Sequence, residues 1–269
     1  ENDLEIEFDT LSKFFDKQEI AKNRILFYNL LCIIYIIGEN YHRTSHFFNK
    51  LGLIFKYLAK RKPFPINGME IINIFIGNKR ILLLLLEQKV IIPNGNFINY
   101  LVERENSSIP NYYQCLCYYF YSEIKETLGT KVREQIEQEI SQKFNESIEN
   151  FEYNIKRGEN NSPLSTLIRQ DSIEDFISYV NRYNVSLMST INPDFYESNR
   201  LLIEKVPNLI EYACFYGSIQ VVKYLQLNNV SFTPSMWLYA IHSKNPELIH
   251  LLEYNGVKPP ENGEKIDYT

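Results

Sequence analysis

Two histidines and a nearby carboxylate are the first residues in this chain whose types could do chemistry. His42 and His46 are four residues apart and would share one face of a helix, which Glu39 could join. Zinc would need a third or fourth ligand in place, and the His-Glu-x-x-His order of a metalloprotease is absent. The preceding Gly38-Glu39-Asn40 indicates a turn, so we interpret the histidines as an ordinary helix start and expect no bound metal.

The cysteines and the catalytic motifs point away from an enzyme. Cys115 and Cys117 have no second cysteine pair to complete a metal knuckle, and they lie in the aromatic run YYQCLCYYF, which is typical of a helix core. No Gly-x-Ser-x-Gly elbow, Walker loop or Gly-x-Gly-x-x-Gly appears in the sequence. We therefore expect a non-enzymatic protein with no cofactor.

Composition narrows the possible classes of protein further. The 269 residues carry a formal net charge of −5, which argues against nucleic-acid binding, and 45% are hydrophobic, enough for a sizeable core. The longest apolar run, Ile25 to Gly38, is shorter than the roughly 20 residues of a membrane span, so it predicts a buried helix, as does ILLLLL from Ile81 to Leu86. The spacing of the four cysteines does not suggest a disulfide framework, and the first residues do not resemble a signal peptide. We therefore expect a cytoplasmic protein, and we expect it to be a monomer.

An internal repeat organises the C-terminal part of the chain. YACFYGSIQVVKYLQLNNV (Tyr212 to Val230) aligns without a gap to YAIHSKNPELIHLLEYNGV (Tyr239 to Val257), at a shift of 27 residues. Each copy predicts a short helix, a tight turn and a second helix. The matched positions include Ala213 with Ala240, Val221 with Leu248, Val222 with Ile249, Leu225 with Leu252, and Val230 with Val257.

The turns inside the two copies use different residues for the same purpose. Gly217 tolerates the positive φ that ends a first helix, and Ser218 is expected to cap the second. In the other copy Asn245 is the expected cap, with Pro246 as the first helical residue. The pairs Ser162-Pro163 and Thr233-Pro234 are expected to start first helices in the same way.

The same frame fits two more segments. Asp171 to Val185 matches a second helix with one extra residue, and Gly77 to Val90 matches Gly217 to Val230 without a gap. Helix-turn-helix units of about 30 residues cannot bury their apolar faces alone, so they stack into a solenoid. Between the copies, Val132 to Ile155 carries a narrow apolar stripe that predicts one long charged helix.

Four stretches resemble the large group of divergent ankyrin-repeat proteins found in trichomonad parasites, whose shared domain has no known function. They are YFYSEIKETL, SIEDFISYVNRYNVSL, FYESNRLLIEKVPNLIEYACFYGSIQVVKYL and TPSMWLYAIHSKNPELIHLLE, and the resemblance covers nearly the whole chain. It implies a solenoid that binds another protein, and it implies no particular ligand. The unit of 27 residues departs from the ankyrin consensus of 33, so the finger between units must be short.

These observations predict an all-α fold in three parts. Residues 1–128 form an irregular helical half of degenerate ankyrin-like repeats, 129–160 form the long charged helix and a linker, and 161–269 form ankyrin-like repeats. The last residues, ENGEKIDYT, look like the start of another unit.

The resemblance also implies where a partner would bind. Ankyrin stacks line a concave face with the two residues before each turn and with the fingers. The matching positions here are Arg169, Gln170, Phe215, Tyr216, Ser231, Phe232, His242 and Ser243. Phe215 and Tyr216 form a candidate hot spot if exposed. Two alternatives stay open: the short finger lets neighbouring helices cover both rings, or the whole segment only supports a longer C-terminal ankyrin array.

Overall fold

The computed structural model describes residues 2–41, 46–61, 68–105 and 116–260. Within these ranges the chain is all-helical, with 72% of residues in helices, seventeen α-helices and no strand, which confirms the predicted all-α class. The chain divides into two compact units. Unit 1 comprises Glu1–Glu159 with Ser198–Arg200, and unit 2 comprises Asn160–Glu197 with Leu201–Thr269.

Among the described residues, ten α-helices belong to unit 1, most of them between 8 and 18 residues long. They are α1 (Asn2–Lys17), α2 (Arg24–Tyr41), α3 (Phe47–Arg61), α4 (Gly68–Phe75), α5 (Lys79–Glu87), α6 (Gly95–Glu105), α7 (Leu116–Tyr119), α8 (Tyr121–Ile124), α9 (Thr130–Phe144) and α10 (Ile148–Arg157). Short 3₁₀ helices, Ile20–Lys22 and Lys125–Thr127, connect some of them.

Helix α5 lies at the centre of unit 1. Every residue from Ile81 to Leu86 is buried, as predicted, because α3, α4 and α8 all pack against this helix. An aliphatic side chain at each of six consecutive positions covers the whole helix circumference, and such a helix is stable only when it is surrounded.

Helix α2 differs from its prediction in two respects. It continues through Gly38 to Tyr41, so the predicted turn is wrong. A Cβ on Gly38 would clash with the Ile81 side chain, so glycine here permits the close approach of α5. The helix is also buried on one side only, with Ile25 71% exposed and Ile36 60% exposed.

The predicted long helix after residue 130 is broken in two. Asn145 adopts the left-handed conformation (φ 53°) at the end of α9, and the Ser147 hydroxyl accepts a hydrogen bond from the Asn150 amide at 3.3 Å to begin α10. The Phe144 and Phe151 rings then lie 4.9 Å apart. The apolar stripe is thus used by two helices that pack on each other, which buries more of it than one straight helix would.

As far as residue 260, where the described part of the chain ends, unit 2 contains three helix-turn-helix pairs and one additional helix. The pairs are α11 (Pro163–Arg169) with α12 (Ile173–Tyr183), α14 (Leu209–Tyr216) with α15 (Ile219–Leu227), and α16 (Met236–Ser243) with α17 (Pro246–Tyr254); α13 (Arg200–Lys205) precedes the second pair. All four bounds of the second pair recur 27 residues later in the third. Helix α14 packs against both α11 and α16, and α15 packs against α12.

The second helices in the repeat frame all end in the same way. A valine amide donates 3.0 Å to the carbonyl five residues earlier in each case, and the residue before that valine has positive φ. The four valines are Val90, Val185, Val230 and Val257. This is the hydrogen bond of a Schellman motif, in which a left-handed residue lets the chain turn back over the helix end. The aligned segments therefore share a backbone geometry as well as a sequence pattern.

The helix starts are only partly those predicted. Ser162 accepts a hydrogen bond from the Ser165 amide before Pro163, and Asn245 accepts one from the Glu247 amide before Pro246, which confirms both caps. Thr233 and Pro234 do not begin a helix, because α16 begins only at Met236 after Ser235.

Ser218 is at the N-cap position of α15 but does not cap it. Its hydroxyl instead donates to the Ile168 carbonyl at 2.6 Å, in the last turn of α11. Asp171 replaces it as the cap, because its carboxylate accepts from the amides of Gln220 and Val221 at 3.1 and 3.0 Å. The capping bond therefore comes from a neighbouring pair.

Candidate partner-binding face

Three of the predicted site residues come from the C-terminal ends of first helices. Arg169 is the last residue of α11, Tyr216 is the last residue of α14, and His242 lies one residue before the end of α16. Because α14 packs between α11 and α16, the ends of these helices bring the three side chains into one row. With Tyr212 and Phe215 they form a set of five residues that we call the helix-end cluster.

The Arg169 guanidinium links α11 to α14. It lies 5.8 Å from the centre of the Tyr216 ring, and its Nη1 donates to the Tyr212 hydroxyl at 3.2 Å. Nη2 donates to the Thr166 hydroxyl at 3.1 Å. These bonds fix an otherwise flexible side chain, so its charge is presented at a defined position beside an aromatic ring.

Aromatic contacts continue the row to α16. The Tyr212 and Tyr216 rings are one helical turn apart, with centroids 4.8 Å from each other. The Phe215 ring lies 5.1 Å from that of Tyr216 and 5.6 Å from that of His242. Separations of this size give favourable ring packing, so the cluster is continuous from Arg169 to His242.

Tyr212 keeps its phenol proton at neutral pH and so does not act as a base. Burial, and secondarily the Glu197 carboxylate, raises the pKa of Tyr212 to about 12, although Arg169 opposes the change. The phenol is therefore neutral at pH 7, and its oxygen serves as the acceptor for Arg169.

Phe215 has to be withdrawn as a partner contact. Its side chain is fully buried, because the close packing of α14 against α16 covers the position before the turn. The open alternative from the sequence, that neighbouring helices cover the pair, is thus correct for Phe215. Tyr216 remains half-buried and keeps part of its surface available.

The two other turn residues have different surroundings. Gln170 is exposed at the end of α11, as a contact residue should be. The half-buried Ser243 donates its hydroxyl hydrogen to the Ala240 carbonyl at 2.7 Å and accepts from the Asn245 amide at 3.0 Å. This hydroxyl therefore helps to hold the turn, and the contact role of the half-buried Ser243 stays a prediction.

Ser231 and Phe232 belong to a different surface feature. They lie in the connection between α15 and α16, where they line an open groove together with Gln226, Asn255 and Val257. Ser231 is exposed, and Phe232 is half-buried with its ring packed against the core of unit 2. The predicted residues are therefore divided between the helix-end cluster and this groove.

A half-buried carboxyl group in unit 1 was missed from the sequence. Glu123 lies on α8 beside a small cavity lined by apolar residues of α5 and α10 and by the charged Glu152 and Lys156. Its buried Oε2 has no hydrogen-bond partner among the described residues. Burial, and secondarily the neighbouring Glu87, raises the pKa of Glu123 to about 7. The run YYFYSEI, a lone acid among aromatic residues, was the available signal.

The residues with possible metal chemistry are only partly described. His42 and Cys115 lie outside the described residues. Within the ranges that the structure describes, no three His, Cys, Asp or Glu side chains are grouped so that they could hold a metal ion.

Two general findings complete the description. None of the described helices is both long enough and apolar enough to cross a membrane. Comparison with protein-family models, with curated proteins and with solved structures finds no match to this chain.

Proposed function

We propose that this protein is a non-enzymatic scaffold that binds another protein through a face of an ankyrin-like stack. Two features support the ankyrin-like architecture. The bounds of two helix-turn-helix pairs recur at 27 residues, and the second helices share one Schellman ending. Such pairs bury their apolar faces against each other, which leaves helix ends and connections for recognition.

The helix-end cluster is the observation that carries the binding proposal. It joins one residue from each of three consecutive first helices, namely Arg169, Tyr216 and His242, all of them half-buried. Arginine and tyrosine are enriched at interface hot spots because they offer large contact area with a polar end. A pre-ordered arginine and tyrosine lose little entropy on binding, so they are suitable anchors. The exposed Gln170 would extend the same face.

A second candidate has a specific observation in its favour. Phe215 is fully buried, and Arg169 forms hydrogen bonds within unit 2. Both residues therefore stabilise the packing of helix pairs, as expected if the segment only supports a longer ankyrin array. The two functions differ in whether the exposed part of the helix-end cluster is needed for a partner to bind.

The test begins with proximity labelling in the cells that make the protein, followed by binding measurements with each purified candidate. We expect the double variant Tyr216→Ala with Gln170→Ala to bind a true partner with at least tenfold lower affinity, because truncating hot-spot residues has effects of this size. Tyr183→Ala is the matched control, since that exposed tyrosine ends a second helix. Circular dichroism verifies that each variant is folded.

The outcome separates the two candidates. Loss of binding in the double variant with full binding in the Tyr183→Ala control supports the scaffold. If every partner binds the double variant as tightly as the unchanged protein, the helix-end cluster is no recognition face, and the supporting role is favoured.

A further inference from the structure

Helix α2 carries an apolar face that is exposed in the chain as described. One side, with Phe27, Leu31 and Ile34, is buried within unit 1. The opposite side presents five aliphatic residues, with exposed fractions between 38% and 71%. They are Ile25, Leu26, Ile33, Ile36 and Ile37, which we call the α2 face.

Such a face is unusual for a helix in contact with water. A helix that is apolar all round is normally surrounded on all sides, as α5 is. The exposed surface of the five residues is roughly 500 Å², near the upper end of what the largest patch on a monomer covers. No charged residue occurs between Arg24 and Glu39, so the face has no lysine or glutamate to keep it in water.

We propose that the α2 face binds the same face of a second copy, which makes the protein a homodimer. A two-fold contact places the same surface on both sides, so about 1,000 Å² would be buried in total, the lower limit for a specific interface. Exposed Asn29 lies within the face and can hydrogen bond to its counterpart near the axis. This differs from the monomer expected from sequence.

The chemistry of the face disfavours a membrane surface as the occupant. Interfacial helices combine their apolar side with lysine and arginine that attract anionic lipids. In α2 the cation next to the face is Arg24, and it is paired with Glu70 at 3.0 Å. A second apolar helix needs no such charges, so a second copy is the better fit.

The test is the mass of the full chain in solution, measured by sedimentation equilibrium between about 1 and 100 µM, a range chosen for a weak interface of this area. We expect a dimer at the high end, and a monomer throughout for Ile33→Glu with Ile36→Glu. Ile92→Glu is the control, since Ile92 is 74% exposed but lies outside α2. As a second measurement, Ile36→Cys should cross-link on oxidation, and Ile92→Cys should not.

The results that overturn the proposal are equally definite. The proposed dimer does not exist if the wild-type chain is monomeric at 100 µM and the Ile36→Cys variant forms no cross-link on oxidation. A dimer that persists in the folded double variant uses another surface. Flotation of the wild-type chain with phosphatidylcholine or phosphatidylserine vesicles, without dimerisation, assigns the face to a membrane instead.

Discussion

Replacing Glu123 with glutamine should stabilise the protein at pH 8 and leave its stability unchanged at pH 4. Burial is the main cause of the raised pKa of this carboxyl, with Glu87 and Glu152 adding to it and Lys156 opposing it. The two nearby lysines each lie 3.6 Å from another carboxylate, Lys156 from Glu87 and Lys125 from Glu152. The charge on Glu123 is therefore poorly compensated.

The magnitude follows from the change in pKa between the unfolded and folded chain. The pKa of Glu123 rises from 4.5 to about 7 on folding. At 1.36 kcal/mol per unit, the ionised form costs at most about 3 kcal/mol, and about 2 kcal/mol is a realistic figure for a partly solvated group. Because the folded pKa is raised, the contribution of Glu123 to stability falls as pH rises from 4.5 to 7, and it changes no further above that. The Glu123→Gln variant lacks this loss.

Urea denaturation of the full chain at pH 4, 5, 6, 7 and 8 measures the difference between wild type and Glu123→Gln. Glu126→Gln is the matched control, because Glu126 is an exposed carboxyl three residues away. Hydrogen exchange of α5 and α8 at each pH assigns the effect to unit 1. A stability difference that is the same at pH 5 and pH 8, or a variant less stable than wild type at pH 8, would refute the reasoning.

Three further predictions concern unit 2. Asp171→Ala should lower the free energy of unfolding by about 1 kcal/mol, because the Asp171 carboxylate caps two amides in the first turn of α15. Hydrogen exchange of these amides should become faster, and unchanged exchange would contradict the prediction. Ser218→Ala should cost about 1 kcal/mol in thermal or urea unfolding, because the Ile168 carbonyl loses the hydroxyl donor and keeps a backbone amide donor, that of Asp171 at 2.9 Å. Burial raises the pKa of the Cys214 thiol, so a thiol reagent at pH 8 should label Cys32 in the folded chain and Cys214 only in urea; rapid native labelling of Cys214 would disprove its burial.

Local features could be predicted from the sequence because neighbouring residues form them. The caps Ser162 and Asn245 bond to amides two or three residues ahead, and Gly217 has the positive φ expected of it. The repeat of 27 residues was likewise predictable, because equal apolar patterns produce equal helices. The all-α class follows from the same periodicity.

Features that depend on distant contacts were predicted wrongly or left open. Ser218 has the sequence position of a cap, but its hydroxyl bonds to a carbonyl fifty residues away, and Asp171 takes over the capping. The apolar stripe from Val132 to Ile155 predicted one helix, but the chain turns at Asn145. The two resulting helices, α9 and α10, pack on each other and so bury more apolar surface than one straight helix would.

The candidate site shows the same division. The sequence located the turns that follow the first helices, and the resemblance then placed Arg169, Tyr216 and His242 among the predicted contact residues. That these three form one row depends on the packing of α14 between α11 and α16. Only the tertiary structure decided that Phe215 is buried while Tyr216 is half-exposed, and that α2 is covered on one side alone. Helical periodicity says which side chains share a face, but burial depends on which other helix lies against that face, and this is set by packing between segments distant in sequence.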